Sequence, residues 1–426
     1  MQFSSLGLSP ALLRALERQQ LLAPTKVQLQ AIPAVLTGHD AMVRAQTGSG
    51  KTLAYGLPLL HKLALEAANN PRQVRALVLV PTRELAVQVG ETLRALANQL
   101  PQAIRISVVF GGVSINPQML AMRGGTDVVV ATPGRLLDLV QHNALSLSAT
   151  QILVLDEADR LLDLGFEAEL NRLLALLPQE RQSLFFSATF APAVSALAQS
   201  MLQEPVQIDI GATDQEKPDI AQQAILVDAP RRTQLLRHLI TTQKWKRVLV
   251  FVATKHAAEI VADKLRKARI YAEPFHGELS QGKRSQVLSD FKASRLKVVI
   301  ATDMASRGLD ITQLPVVVNY DLPRSATEYT HRIGRTGRAG EAGLAVSFVS
   351  HDTEAHFRLI EKRHGLEVPM EVVEGFEPEA PVDPIDPTQG PSAAPANLDP
   401  LNNGGVKGKR PSKKDKLRAM AARQEQ

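Results

Sequence analysis

The chain has 426 residues, 44% of them hydrophobic, a formal net charge of +6 and no cysteine. Its length and apolar content provide for two ordinary domains with a core each, and the lack of cysteine excludes disulfides, thiolate metal sites and cysteine nucleophiles. Arg14, Glu17 and Arg18 interrupt the apolar residues near the start, unlike a signal peptide's uncharged core. No apolar run approaches bilayer length, so a soluble, cytoplasmic chain without membrane contact is expected.

In chain order, Ala41-Met42-Val43 reads as a strand and Leu53, Leu57 and Leu60 mark the helix after it. Between them Ala45-Gln46-Thr47-Gly48-Ser49-Gly50-Lys51-Thr52 has the spacing of a phosphate-binding loop, with Ala45 in place of the first glycine. Gly48 and Gly50 let backbone N–H groups close around phosphate oxygens, Lys51 supplies charge, and Thr52 offers a hydroxyl to Mg²⁺. Further β-like runs follow at Ala76–Val80, Ile106–Phe110, Asp127–Val130, Ile152–Leu155 and Leu184–Phe186.

Ile152–Leu155 is a wholly apolar run that ends in Asp156-Glu157-Ala158-Asp159. Acids at the C-terminal end of a buried strand stand where open α/β sheets bind ligands. Asp156 is thus expected to complete the Mg²⁺ site and Glu157 to polarise the attacking water. Three other strand ends carry Pro81-Thr82-Arg83, Gly111-Gly112 and Thr132-Pro133-Gly134-Arg135, which put hydroxyls, backbone N–H groups and guanidinium groups at the same sheet edge. Such a surface tracks phosphates without reading bases.

The second half repeats the rhythm at Val248–Val252, Val298–Ile300, Val316–Val318 and Ala345–Val349, without a second Gly-Lys-Thr loop. The expected class is therefore α/β, with two tandem domains, each a parallel sheet covered by helices. The boundaries read as 1–210 for the nucleotide-binding domain, 211–220 for a hinge and 221–368 for the second domain. Residues 369–405 carry seven acids and no Lys or Arg, whereas 406–426 have a net charge of +6, leaving +7 on the rest. An acidic, proline-rich spacer (369–406) and a basic, disordered tail (407–426) are expected.

These signals, in this order, resemble the DEAD-box RNA helicases of superfamily 2 over roughly the first 370 residues, which implies two RecA-like domains, ATP and Mg²⁺ as cofactors and RNA as substrate. Within the adenine-reading segment (1–29), the resemblance gives Gln28 the adenine edge and Phe3 the stacking face, while Gln20 and Leu21 stand where relatives carry glycine and an aromatic. It places Gly308 and Asp310 at the ATP ribose side, and Arg335 and Arg338 on the γ-phosphate. To Pro81, Thr82, Arg83, Gly111, Gly112, Thr132, Pro133, Gly134, Arg135, His276, Gly277, Gln281, Arg284, Thr302 and Asp303 it assigns RNA contact. Asp159, Ser187, Thr189, Arg307, His331 and Arg332 are implied to couple the domains. His276 and His331 lack ligands at metal spacing, so no structural zinc is expected.

The short tail is similar to that of the bacterial RhlE-type branch. This implies a monomer acting on single-stranded RNA and short duplexes, ribosomal RNA among them, with ribosome-assembly or RNA-decay proteins as partners. A translocating DNA helicase and a non-hydrolysing RNA clamp are the alternatives. The first is disfavoured by Asp156–Asp159 with Phe3 and Gln28, the second by the full set of catalytic residue types.

Overall fold

The computed structural model describes residues 2–46, 48–67, 70–210, 219–306, 314–337 and 342–379. Strands Ala41–Arg44 (β1), Ala76–Leu79 (β2), Ile106–Val109 (β3), Val128–Ala131 (β4), Ile152–Leu155 (β5), Gln182–Ser187 (β6) and Val206–Asp209 (β7) form one parallel sheet, in the order β3-β4-β2-β5-β6-β1-β7. Ile220–Leu226 (β8), Val248–Val252 (β9), Ala272–Phe275 (β10), Val298–Thr302 (β11), Val316–Asn319 (β12), Gly343–Val349 (β13) and Met370–Glu371 (β14) form a second, in the order β10-β11-β9-β12-β13-β8-β14. Offset by seven, the two orders are the same.

Both faces of each sheet are covered, because successive strand residues point to opposite sides. Val78, Val130, Val154 and Phe186 enter one core of the first domain, while their neighbours Leu79, Val129, Leu155 and Phe185 enter the other. In the second domain Val250, Ile300 and Val318 face one core and Leu249, Val299 and Val317 the opposite one. Each such aliphatic side chain contributes about 1.5–3 kcal/mol by leaving water. Helices such as Lys51–Leu65 and Arg83–Ala97 supply the covering layers, giving the two RecA-like domains expected.

The elements absent from the sequence reading are β7, β8, β10 and β14. β7, β10 and β14 lie at sheet edges, where a continuous apolar run is not required. An edge also tolerates Pro274, which donates no ladder hydrogen bond. β8 lies inside its sheet, but its centre reads Gln222-Gln223 and hides the pattern. Its pairing brings Ile220, assigned to the hinge, into the sheet, and the sheet runs beyond the boundary expected at residue 368. Met370 and Glu371 pair with β8, and Val373 and Phe376 pack on the second-domain core, so residues 369–379 of the expected spacer belong to the folded part. The hinge residues 211–218, the rest of the spacer and the basic tail lie outside the described residues. Among the described residues, no helix is long and apolar enough to cross a membrane.

Candidate active site

The phosphate-type loop leaves the end of β1 and opens the helix Lys51–Leu65. Gly48 and Gly50 take φ of 82° and 93°, the left-handed region that glycine enters without steric cost. At Gly50 a Cβ would also lie 2.5 Å from Gln28 Nε2. That close approach is used: Gln28 donates from Nε2 to the Gly50 carbonyl at 3.1 Å and accepts from the Thr25 N–H at 3.0 Å. The amide expected to read adenine therefore braces the phosphate loop here. Phe3, expected to stack on the base, is only 4% exposed and packs into the first-domain core. Gln20 has φ of 58°, in the left-handed region that glycine enters without steric cost.

Behind the loop, Lys51 is buried, and its Nζ has no hydrogen-bond partner among the described residues. An ammonium without a partner is costly to bury, so the site is short of negative charge. Asp156 has the opposite need. Burial pushes its pKa up and Glu157 adds to this, while Lys51 pulls it down. Its Oδ2 accepts from the Tyr55 hydroxyl at 2.9 Å and its Oδ1 from the Glu157 N–H at 2.9 Å. Tyr55 is itself shifted well upward, first by burial and then by Asp156, and remains a donor. A buried cation beside a loop of backbone N–H groups, with a carboxylate that burial disfavours, fits a polyphosphate carrying a divalent cation. Gln46, Ser49 and Thr52 flank this cradle, with Ser49 Oγ donating to the Gln46 carbonyl at 2.7 Å.

Glu157 adopts φ of 51°, an uncommon conformation for a residue with a side chain, and Arg160 Nη1 donates to its Oε2 at 2.8 Å. Asp159 turns away from the loop. Its Oδ2 accepts from both the N–H and the Oγ1 of Thr189 at 3.1 Å, and Ser187 Oγ donates to the Thr189 carbonyl at 2.7 Å. Asp159, just past the end of β5, is thus tied to the end of β6 through two hydrogen bonds, and the third holds the β6 end together.

The second domain reaches this cluster with the helix Ala326–Ile333. His331 feels Asp159, Arg160 and Asp163 of the first domain and Arg335 of its own. Burial is the main cause of its lowered pKa, followed by Arg160 and Arg335 on the same side and the two aspartates opposing. Arg335 is buried beside it. Arg332, expected to couple the domains, works inside the second one: it donates to Asp303 at 2.6 Å through Nε and Nη2, and to Asn319 and the Asp321 carbonyl from Nη1. Asp303, assigned to RNA, is the acid that holds it.

A second bridge between the domains uses Arg284, a residue assigned to RNA contact, and Glu84, which was assigned no role. Arg284 Nη2 lies 2.8 Å from Glu84 Oε1, and both groups are buried. The guanidinium also stands over the Phe275 ring at 4.8 Å. Its charge is thus used between domains rather than offered to a ligand. Arg135 is similarly drawn inward, donating to the Val113 carbonyl at 2.7 Å, and His276 Nε2 sits 2.8 Å from Glu259 Oε1. Thr82 Oγ1 caps the helix after it by accepting from the Leu85 N–H at 3.3 Å, and Thr132 and Pro133 begin another helix. Gly111, Gly134 and Gly277 leave open space where a Cβ would stand, and Gly112 takes φ of 77° under the Arg83 guanidinium. Gln281 opens a helix, and Thr302 ends β11 half-buried. Thr47, Arg307, Gly308, Asp310 and Arg338 lie outside the described residues.

Tyr55, Glu84, Arg160 and Asn319 escaped the sequence reading, because each acts through a partner distant in sequence or one helical turn away. Glu84 directly follows Pro81-Thr82-Arg83 in the sequence, so its acid is visible there while its use is not.

A family model described as DEAD/DEAH box helicase matches residues 25–197, and one described as Helicase conserved C-terminal domain matches 231–340. The ATP-dependent RNA helicase DDX47 of Drosophila melanogaster is 39% identical over 359 residues, covering 84% of this chain and 70% of that protein. The chain belongs to the DEAD-box ATP-dependent RNA helicases. DEAD-box ATP-dependent RNA helicase CshA of Streptococcus pneumoniae is 38% identical over 382 residues, covering 88% of this chain and 72% of that protein. Among solved structures, S. cerevisiae Dbp5 bound to RNA and ADP BeF3 is similar with a TM-score of 0.75 at 30% identity, covering 88% of this chain and 95% of that one. As a DEAD-box helicase, the protein hydrolyses ATP and unwinds RNA.

Proposed function

We propose that this helicase couples ATP binding and hydrolysis to local, non-sequence-specific opening of short RNA duplexes, or displacement of RNA-bound protein, through a site divided between its domains. The observation that carries this reading is the position of His331, with Arg335 beside it, close enough to Asp159, Arg160 and Asp163 of the other domain to feel their charges. Lys51 and the loop N–H groups bind the ATP phosphates. When bound by Thr52 and Asp156, Mg²⁺ neutralises phosphate charge. Glu157, held by Arg160 through one oxygen, keeps its other oxygen to orient the attacking water.

Arg335 meets the transferring phosphoryl group only when the domains close, and Arg338 is assigned the same role by resemblance. Closure is favoured by the buried Glu84–Arg284 pair, and the Asp159–Thr189–Ser187 hydrogen bonds link the ATP site to the neighbouring strand end. Arg83, Gly111, Gly112, Thr132, Gly134, Gly277, Gln281 and Thr302 form the RNA face in this reading. Arg284, Asp303 and Arg332 position it. ATP and RNA both favour the closed form, so each raises affinity for the other.

For the setting we infer a cytoplasmic monomer in ribosome assembly or RNA turnover, a reading that rests on the resemblance of the short tail to the RhlE-type branch alone. The test is ATP turnover with single-stranded RNA and with DNA of the same sequence. RNA is expected to stimulate far more strongly, because the 2′-OH distinguishes them. Equal stimulation by DNA would sink the RNA reading. Glu157→Gln is expected to bind ATP normally and not turn it over, and retained hydrolysis would remove Glu157 from its role.

A further inference from the structure

The opposite edge of the second domain carries a feature that the ATPase cycle does not use. A groove of about 850 Å³ opens at the N-terminal ends of β9, β10, β11 and β12. Lys244, Lys246, Arg269, Tyr271, Arg295 and Lys297 line it, and no acidic side chain among the described residues does. Arg295 is paired with Asp290, which lies outside the lining, at 2.7 Å. Tyr271 is 76% exposed, an unusual place for an aromatic ring unless something covers it.

The first domain shows what the same place looks like when it is only structural. Asp127 precedes β4 as Lys297 precedes β11, and their backbones are bonded alike: Asp127 accepts from the Ala76 N–H at 3.0 Å, Lys297 from the Val248 N–H at 2.9 Å. Asp127 is buried and neutralises Arg75 at 3.1 Å and also Arg72. Where the first domain closes its edge with an acid that gathers arginines, the second puts a lysine and leaves the cations facing a groove.

Backbone strain points the same way. Lys244 and Arg269 each follow a helix end with φ of 52° and 61°, the position where glycine is the usual residue. A side chain there costs about 1–2 kcal/mol relative to the right-handed conformation. A helix C-terminus welcomes a cation, but Lys264, Arg266 and Lys267 already meet that need in the helix before Arg269. An uncommon conformation kept by two cations that converge on one groove is a reason to look for a ligand.

We propose that this groove is a second RNA-binding surface, which holds by its phosphates the RNA beyond the tract gripped on the helicase face, with Tyr271 as a stacking platform. Cations that track a backbone beside an exposed ring are what single-stranded nucleic acid requires. The groove lies at the other end of the strands that carry His276, Gly277 and Thr302. Four residues of β10 separate the two ends by about 13 Å. Short RNA fills one face and longer RNA reaches both.

The test uses the full chain and the double substitution Lys244→Gly with Arg269→Gly, which removes two charges and relieves strain, so the thermal midpoint is expected to hold or rise. Lys244→Asn with Arg269→Asn is the second variant, because Asn also tolerates the left-handed region. Binding of 8-nucleotide and 30-nucleotide single-stranded RNA is followed across a salt series. For the 30-mer, the slope of log affinity against log salt is expected to fall by about 0.7 for each phosphate that is no longer neutralised, about 1.4 for either double variant. The 8-mer slope, and ATP turnover stimulated by the 8-mer, are expected to stay unchanged. An unchanged 30-mer slope in both variants overturns the proposal, as does an equal loss for the two RNAs. Loss of poly-glutamate binding with RNA binding intact would make the groove a protein-docking surface and also overturn it. Because the 8-mer reports on the helicase face alone, failure here leaves the split ATPase site standing.

Discussion

The two domains share one strand order and use it for different halves of one reaction. After β1 the first domain has a glycine loop and a buried lysine without a hydrogen-bond partner among the described residues; after β8 the second has Val227-Asp228-Ala229 in place of such a loop. After β5 stands Asp156, a carboxylate that burial makes reluctant to ionise and that a cation would relieve. In the matching loop after β12, Asp321 already has cationic and backbone partners, Arg232 at 2.9 Å and the Ala253 N–H at 2.8 Å. A duplicated fold has kept its scaffold in both copies, while the phosphate-type loop with its buried lysine and the carboxylate that burial disfavours stand only in the first of them among the described residues. In the proposed mechanism neither half is a catalyst alone.

The strongest challenge to this division is Arg335→Ala. Turnover with saturating RNA is expected to fall by about 10³–10⁵, as for other arginines supplied to a transferring phosphoryl group. ATP affinity measured by equilibrium titration is expected to change little, because Lys51 and the loop N–H groups that hold the phosphates lie in the first domain. Turnover near the wild-type rate would mean that the second domain does not complete the site.

Next comes the bridge. Glu84→Gln leaves the Arg284 guanidinium buried without its counter-charge, and breaking a buried pair from one side costs about 3–5 kcal/mol. The loss falls on the closed form, so RNA affinity measured with a non-hydrolysable ATP analogue is expected to drop by two orders of magnitude or more. Adding Arg284→Gln is expected to recover part of it, giving a non-additive double-mutant cycle. Additive effects would show that the two residues do not act on each other across the cleft.

Gln28→Ala sharpens the role of the glutamine that holds Thr25 and Gly50. Losing these hydrogen bonds costs about 1–3 kcal/mol, so KM for ATP is expected to rise by roughly tenfold. If bracing is its work, KM for GTP rises in parallel. A collapse of ATP-over-GTP preference with little change for GTP would restore adenine reading as its main task.

The smallest effect concerns pH. His331 in the closed form has its pKa lowered from 6.5, chiefly by burial, so the open form binds more protons between the lowered value and 6.5. Acidification through that window therefore favours opening, and RNA affinity with the ATP analogue is expected to weaken as pH falls below about 6.5. His331→Asn is expected to remove this step. A profile that keeps the step in the variant assigns it to another group.

The central strands were legible because a strand buried on both faces must be apolar throughout, as Ile152–Leu155 and Val248–Val252 are. β7, β10 and β14 were not, since an edge strand needs no such run and β10 even admits Pro274. At the site, the glycines, Lys51 and the acids were readable from spacing. What spacing could not show was how each polar group would be used: Arg284 and Arg135 carry charges suited to phosphate yet turn inward, and Gln28 turns to its own loop. Those outcomes depend on partners such as Glu84 and Gly50, which lie far away along the chain.

Closure itself is the claim to measure most directly, and a chain without cysteine makes it accessible. Donor and acceptor dyes at Leu120→Cys and Leu359→Cys, both exposed and one in each domain, report the distance between domains in single molecules. With ATP and RNA together, a high-efficiency population is expected to dominate, and it is expected to be absent with either ligand alone and depleted by Glu84→Gln. An efficiency distribution that ignores both ligands and the substitution would contradict a site assembled by closure.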